Sequence, residues 1–107
     1  MSEHLLNEKY KDAAAVMIGS TLEEHLRQLA LKNNIEILDA KFSKPKKADQ
    51  LNSDLSNAGI YNKLDQKNVT AFLDLRNKAA HGKYTEYTQE QVELMLLSVT
   101  NFISRNN

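Results

Sequence analysis

Residues 13–29 read AAAVMIGSTLEEHLRQL, and apolar side chains recur there every three or four positions. This spacing places them on one side of an α-helix, which has about 3.6 residues per turn. The pattern extends in both directions and predicts one long helix over residues 3–33. The Gly19-Ser20 pair within it predicts a bend or a close crossing with a second helix. The apolar row of this helix consists of Ala14, Ile18, Leu22, Leu26 and Leu29.

A second helix is predicted over residues 46–58. Pro45 suits the first turn of a helix, and Gly59 suits the position that follows its end. The connector before this helix, residues 35–45, is lysine-rich at its end. The lysines of this part of the chain are Lys41, Lys44, Lys46 and Lys47.

Two more helices follow toward the C-terminus. Asp65 is predicted to cap the third helix, which stops near Gly82. Residues 88–91 read TQEQ, a capping box that opens the fourth helix. The four helices together predict an all-α fold, an antiparallel helical bundle, in a single domain that spans residues 1–107.

The composition is that of a small globular domain without an overall charge. The 107 residues include 14 Lys and Arg and 14 Asp and Glu, so a polyanion site would have to be a local cluster. The chain has no cysteine, which excludes disulfides, thiolate nucleophiles and cysteine-type zinc sites. No apolar run is long enough to span a bilayer and no signal peptide is recognisable, so we expect a cytoplasmic protein without a membrane partner. The core is modest, and oligomerisation would supplement it.

One arginine breaks the apolar pattern of the third helix. Residues 71–84 read AFLDLRNKAAHGKY, and a helical wheel places Arg76 near the middle of the apolar stripe. A guanidinium is always charged, so it belongs there only if it meets a partner or lines a cleft. His81 lies about 140° around the helix from Arg76. The two side chains converge only if the last turn unwinds, which Gly82 favours.

A purely structural interpretation stands beside the functional one. Arg76 could pair with an acid on the first helix such as Glu24, and His81 could interact with the carbonyl end of its own helix. His4 and His25 lack a third ligand at a recognisable spacing. We interpret both as ordinary helix residues and expect no metal site.

The segment Arg76-Asn77-Lys78-Ala79-Ala80-His81 resembles the R-x(4–6)-H signature of the HEPN superfamily, in which a polar residue such as Asn usually follows the arginine. The resemblance extends over most of the chain. It includes the long first helix with LEEHLR at 22–27, the block LDLRNKAAHG at 73–82 and the final amphipathic helix.

This resemblance implies a four- or five-helix up-and-down bundle that dimerises and places both motifs in a shared cleft. Many HEPN proteins are metal-independent endoribonucleases of toxin–antitoxin, abortive-infection and other anti-phage systems. Others bind nucleotides or are non-catalytic partners of nucleotidyltransferases. The resemblance therefore implies RNA as substrate, a second copy of the chain as partner, no cofactor, and a nucleotidyltransferase-type antitoxin as a further partner.

The residue types fit RNA cleavage by the substrate's own 2′-hydroxyl. Histidine exchanges protons at neutral pH, and arginine presents a planar fork of donors to phosphate oxygens. We therefore expect Arg76, Asn77 and His81 to be catalytic, with Asn77 orienting His81 or donating to the phosphate. A dimer would supply two histidines, one as base and one as acid.

Other side chains near the motif could hold the RNA. Lys78, Lys83 and the lysines of residues 41–47 are candidates for the RNA backbone, and Tyr84 could stack on a base. Two alternatives to a nuclease stay open from the sequence. One is a non-catalytic module that binds a nucleotide or a protein, and the other is a structural helical domain.

Overall fold

The computed structural model describes residues 11–41 and 43–107, and for Tyr84 it describes the backbone alone. Four α-helices make up most of this part of the chain: α1 (Lys11–Lys32), α2 (Ala48–Asn57), α3 (Lys63–Ala80) and α4 (Gln89–Arg105). The all-α class predicted from the sequence is confirmed. None of these helices combines the length and the apolar character that crossing a membrane requires.

Helix α1 is the centre of the fold, because it packs against each of the other three helices and most extensively against α3. It continues without interruption past Gly19 and ends at Lys32, close to the predicted position. The first residues of the predicted helix, 3–10, lie outside the described residues. The buried residues of α1 include the whole apolar row predicted from the sequence, namely Ala14, Ile18, Leu22, Leu26 and Leu29.

Gly19 lies at a close contact between α1 and α3. It is buried, and a Cβ atom at this position would overlap with Cβ and Cγ of Arg76 on α3. The missing side chain leaves room for the aliphatic part of Arg76 to lie against the α1 backbone. The prediction of a close helix crossing at Gly19-Ser20 is therefore confirmed.

The connector between α1 and α2 contains a small hairpin that the sequence did not predict. Strands β1 (Leu38–Asp39) and β2 (Lys44–Pro45) pair antiparallel, with Leu38 opposite Pro45. Pro45 thus belongs to a strand, and its predicted place in the first turn of a helix is wrong. Helix α2 begins three residues later and ends before Gly59, whose φ of 77° is readily adopted by glycine.

The caps of α3 and α4 differ in how well the sequence predicted them. The N-cap of α3 is Asn62, whose side chain accepts a 2.8 Å hydrogen bond from the Asp65 backbone N–H. The prediction of Asp65 as the cap is wrong, because its carboxylate instead accepts hydrogen bonds from Arg105 at 3.1 and 3.2 Å. The capping box predicted at residues 88–91 is confirmed by its two reciprocal hydrogen bonds between Thr88 and Gln91.

A buried polar network joins the region between α2 and α3 to the core. The Tyr61 hydroxyl donates a 2.6 Å hydrogen bond to Asn52 Oδ1, and Asn52 Nδ2 donates to the Gln66 carbonyl and to Thr70 Oγ1. Burial raises the pKa of Tyr61 well above its ordinary value, and the nearby negative charge of Asp65 raises it further. The network fixes α2 against the first half of α3.

Candidate functional site

Arg76 lies half-buried on the face of α3 that packs against α1. Its stem crosses Gly19, and its Nη2 atom lies 3.8 Å from Oε1 of Glu23. The acid that meets Arg76 is therefore Glu23, and the predicted partner Glu24 is wrong. Glu24 is exposed and accepts a hydrogen bond from Gln28. Glu23 is one helical turn after Gly19 and faces α3, whereas the next residue is rotated by about 100° toward solvent.

The Arg76 guanidinium is only loosely satisfied by the protein. Glu23 is shared, because its Oε2 atom also lies 3.9 Å from Nη2 of Arg27, and both distances exceed those of a hydrogen bond. Arg76 Nη1 donates a long 3.4 Å hydrogen bond to Oδ1 of Asn77. Its Nε atom is buried and finds no hydrogen-bond partner among the described residues. The guanidinium therefore keeps donor capacity that residues 11–41 and 43–107 do not use.

An open cleft of about 240 Å³ lies beside this guanidinium, between α1, α3 and the junction of β2 with α2. We call it the Arg76 cleft. Its lining carries four cationic and two anionic side chains. The lining residues are Glu23, Arg27, Pro45, Lys46, Lys47, Ala48, Asp49, Leu73, Arg76 and Asn77.

Asn77 and His81 differ in their relation to this cleft. Asn77 lines it, next to Arg76. His81 is the exposed C-cap of α3, and its backbone N–H bonds to the carbonyl of Asn77 at 3.0 Å. The helix stays regular through Ala80 and departs from helical geometry only at His81, so the last turn does not unwind. Within one chain the structure brings Arg76 and Asn77 together, and His81 is not among the residues that line the cleft.

Of the residues predicted to hold the RNA, Lys78 and Lys83 are not among those that line the Arg76 cleft. Lys78 pairs with Asp74 at 3.2 Å and lines a different groove, together with Phe72 and Leu75. Lys83 is exposed and precedes the short 3₁₀ helix Tyr84–Glu86. The side chain of Tyr84 lies outside the described part of the chain.

Arg27 also lines the cleft and was not predicted from the sequence, whereas Lys47, which lines it too, is one of the lysines of residues 41–47 predicted to hold the RNA backbone. The sequence contained a weak indication that Arg27 faces α3, because Arg27 follows Glu23 by one turn on the same side of α1 as Gly19. Lys47 is the N-cap of α2, and its side chain makes no capping hydrogen bond. Among the lysines of residues 41–47, Lys46 also lines the cleft but forms a 2.7 Å ion pair with Asp54.

The histidines and acids of the described residues do not gather into a metal site. No group of three or more His, Asp or Glu side chains placed to hold a metal ion occurs in residues 11–41 and 43–107. His25 instead makes a 2.7 Å hydrogen bond with the carbonyl of Asn106, and His4 lies outside the described residues.

Comparison of the chain with protein-family models, with curated proteins and with solved structures gave no match.

Proposed function

We propose that this protein is a metal-independent endoribonuclease of the HEPN type that acts as a homodimer. The observation that supports it is the position of Arg76. The guanidinium lines an open cleft although its stem is packed between two helices, and the acid that meets it among the described residues, Glu23, is shared with a second arginine. A phosphate group offers the planar, bidentate acceptor geometry that such a guanidinium binds best.

The proposed chemistry uses the RNA as its own nucleophile. One histidine removes the proton of a 2′-hydroxyl, and the 2′ oxygen bonds to the adjacent phosphorus. The bond from phosphorus to the 5′ oxygen breaks, and a second histidine protonates that oxygen. Arg76 stabilises the charge that develops on the non-bridging phosphate oxygens, and Asn77 donates to the same phosphate. The products are a 2′,3′-cyclic phosphate and a 5′-hydroxyl.

The requirement for two histidines and the place of His81 together motivate the homodimer. In one chain His81 is exposed at the end of α3 and does not line the Arg76 cleft. A second copy would supply both the missing imidazole and the second proton-transfer group. The resemblance extends the proposal to a toxin or anti-phage role, with a nucleotidyltransferase-type antitoxin as partner.

The test is cleavage of single-stranded RNA in the presence of EDTA. Alanine at Arg76 or at His81 is expected to lower the rate at least about 100-fold, because each removes a group that acts in the transition state. Arg105→Ala is the matched control, because Arg105 pairs with Asp65 away from the cleft. Full activity of both the Arg76 and His81 variants would refute the proposal.

A second candidate is a non-catalytic nucleotide-binding module. The observation that favours it is the cationic cleft itself, which Arg76 and Asn77 line without His81. This alternative predicts that a nucleotide binds the wild-type protein but that RNA incubated with it stays intact.

A further inference from the structure

We propose that the Arg76 cleft contains a second phosphate subsite, in which Arg27 and Lys47 hold an RNA backbone phosphate next to the one bound by Arg76. The inference rests on the proposed function for the identity of its ligand. The subsite itself is inferred from the side chains that line the cleft.

The first observation is the shared carboxylate between the two arginines. Glu23 lies 3.8 Å from Arg76 and 3.9 Å from Arg27, and it is within hydrogen-bond distance of neither. One carboxylate thus faces two positive charges, and the exposed fractions of the side chains are 26% for Glu23 and 24% for Arg27. Arg27 and Glu23 are thus partly removed from water without forming a hydrogen bond to each other. The guanidinium groups of Arg27 and Arg76 therefore favour an added anion.

The second observation concerns the two lysines at the start of α2. Lys46 is engaged by Asp54 at 2.7 Å, so it contributes little free charge. Lys47 is exposed, and the backbone at this N-cap position is extended. Its side chain does not cap the helix, and it lines the cleft directly. Lys47 is therefore the lysine best placed to meet a phosphate there.

The backbone at the start of α2 adds to this charge. Ala48 and Asp49 are the first residues of the helix, and both line the cleft. The first backbone N–H groups of a helix have no acceptor within the helix, and its N-terminus favours anions. The Asp49 carboxylate opposes this effect in part, so the subsite depends mainly on Arg27 and Lys47.

The ligand that fits is a phosphodiester within a longer strand. The cleft is open and of modest volume, about 240 Å³, which admits a phosphate whose flanking nucleotides stay outside. Arg76 lines the cleft from α3, Arg27 from α1 and Lys47 from the N-cap of α2. A strand that places its scissile phosphate at Arg76 would therefore place its next phosphate at Arg27 and Lys47. Contacts of this kind position a substrate without reading its sequence.

The test measures binding of a 2′-O-methyl RNA of about six nucleotides, which cannot be cleaved, as a function of salt. We expect Arg27→Gln/Lys47→Gln to bind about tenfold more weakly at low salt. The logarithmic salt slope should become smaller by about 0.7, the value for one lost phosphate contact to a single strand, because Arg27 and Lys47 together hold one phosphate. Arg105→Gln/Lys67→Gln removes the same charge away from the cleft and should bind like wild type. Unchanged affinity and slope in the first variant would overturn the subsite.

Glu23→Gln supplies a second measurement that does not remove a cation. Neutralising the shared carboxylate is expected to tighten binding of the same RNA several-fold, whereas Glu24→Gln, at an exposed position outside the cleft, should leave it unchanged. Equal RNA affinities of Glu23→Gln and Glu24→Gln would contradict the proposal that the Arg76 cleft binds phosphate beside Glu23. If the double variant is unfolded, the same binding measurement is made with Lys47→Gln alone, which removes one charge at an exposed position.

The outcomes separate this inference from the proposed function. If Arg27→Gln/Lys47→Gln cleaves RNA with an unchanged KM, the second phosphate subsite is refuted and the proposed nuclease activity is retained. If the wild-type protein does not cleave RNA but binds it in a salt-dependent way that requires Arg27 and Lys47, the nuclease activity is refuted and the subsite is retained. Displacement of the RNA by AMP at comparable concentration would assign the subsite to a free nucleotide's phosphate and overturn the backbone assignment.

Discussion

Arg76 has two environments along one side chain. Its methylene stem is packed at the α1–α3 crossing, over Gly19, while its guanidinium reaches a cleft and a shared acid. A long cationic side chain can occupy an apolar helix face in this way, because its stem is apolar and its head stays near water. The same residue therefore contributes to packing and provides the charge of the candidate site.

Tyr61 gives a prediction about alkaline stability. Its pKa is raised above the ordinary value of 10.0, so the folded state binds the phenolic proton more tightly than the unfolded state does. The resulting stability is present in full below about pH 10 and is lost as the pH rises above that value. Wild type should therefore lose more free energy of unfolding than Tyr61→Phe between about pH 8 and about pH 11, as measured by urea unfolding.

The comparison isolates Tyr61, because all other titrating groups are the same in the two proteins. Near neutral pH the variant should be less stable by about 1–3 kcal/mol, since Asn52 Oδ1 loses its 2.6 Å hydrogen bond. Parallel pH profiles would show that burial of this hydroxyl does not contribute to alkaline unfolding.

At the scale of elements, the α1–α3 crossing decides where the site is formed. Gly19→Ala would place a Cβ atom into the stem of Arg76, which must then shift. We expect a net loss of about 1–2 kcal/mol in the free energy of unfolding. Overpacking costs about 1–3 kcal/mol, and the higher helix propensity of alanine offsets up to about 1 kcal/mol of it.

The control for this variant is Ser20→Ala, at an exposed position on the same helix. That change should alter stability by no more than about 0.5 kcal/mol in the same urea experiment. If Gly19→Ala were as stable as wild type, the crossing would have room that the structure does not show.

Elements defined by local signals could be predicted from the sequence. The capping box at Thr88 and Gln91 and the apolar row of α1 depend on neighbouring residues alone, and both are present. The N-cap of α3 was missed because Asn62 and Asp65 are equally good capping residues in sequence, and Asp65 is engaged by distant Arg105. Two-residue strands have no periodicity to detect, so the pairing of residues 38–39 with residues 44–45 could not be predicted.

At the scale of the whole molecule, the cleft depends on residues far apart in the sequence. Arg27, Lys47 and Arg76 come from three different helices or their caps, and only their packing brings them to one cavity. Arg76 could be found because it breaks a helical pattern, and Asn77 because it follows Arg76 in the motif. The acid was named wrongly as Glu24, although Glu23 follows Gly19 by one helical turn and therefore lies on the side of α1 where the close crossing was predicted.

The position of His81 determines how many copies of the chain the proposed chemistry requires. A single chain presents Arg76 and Asn77 in the cleft and His81 outside it, so the proposed chemistry requires two copies of the chain. We therefore expect RNA cleavage to require the dimer, because one protomer alone does not place His81 in the Arg76 cleft.

The most direct measurement uses a DNA oligonucleotide that contains one ribonucleotide, incubated with the wild-type protein in EDTA and analysed by mass spectrometry. The proposal predicts a single cut on the 3′ side of the ribonucleotide, with a 2′,3′-cyclic phosphate on one product and a 5′-hydroxyl on the other. An intact substrate, or cuts at the deoxynucleotides, would contradict it.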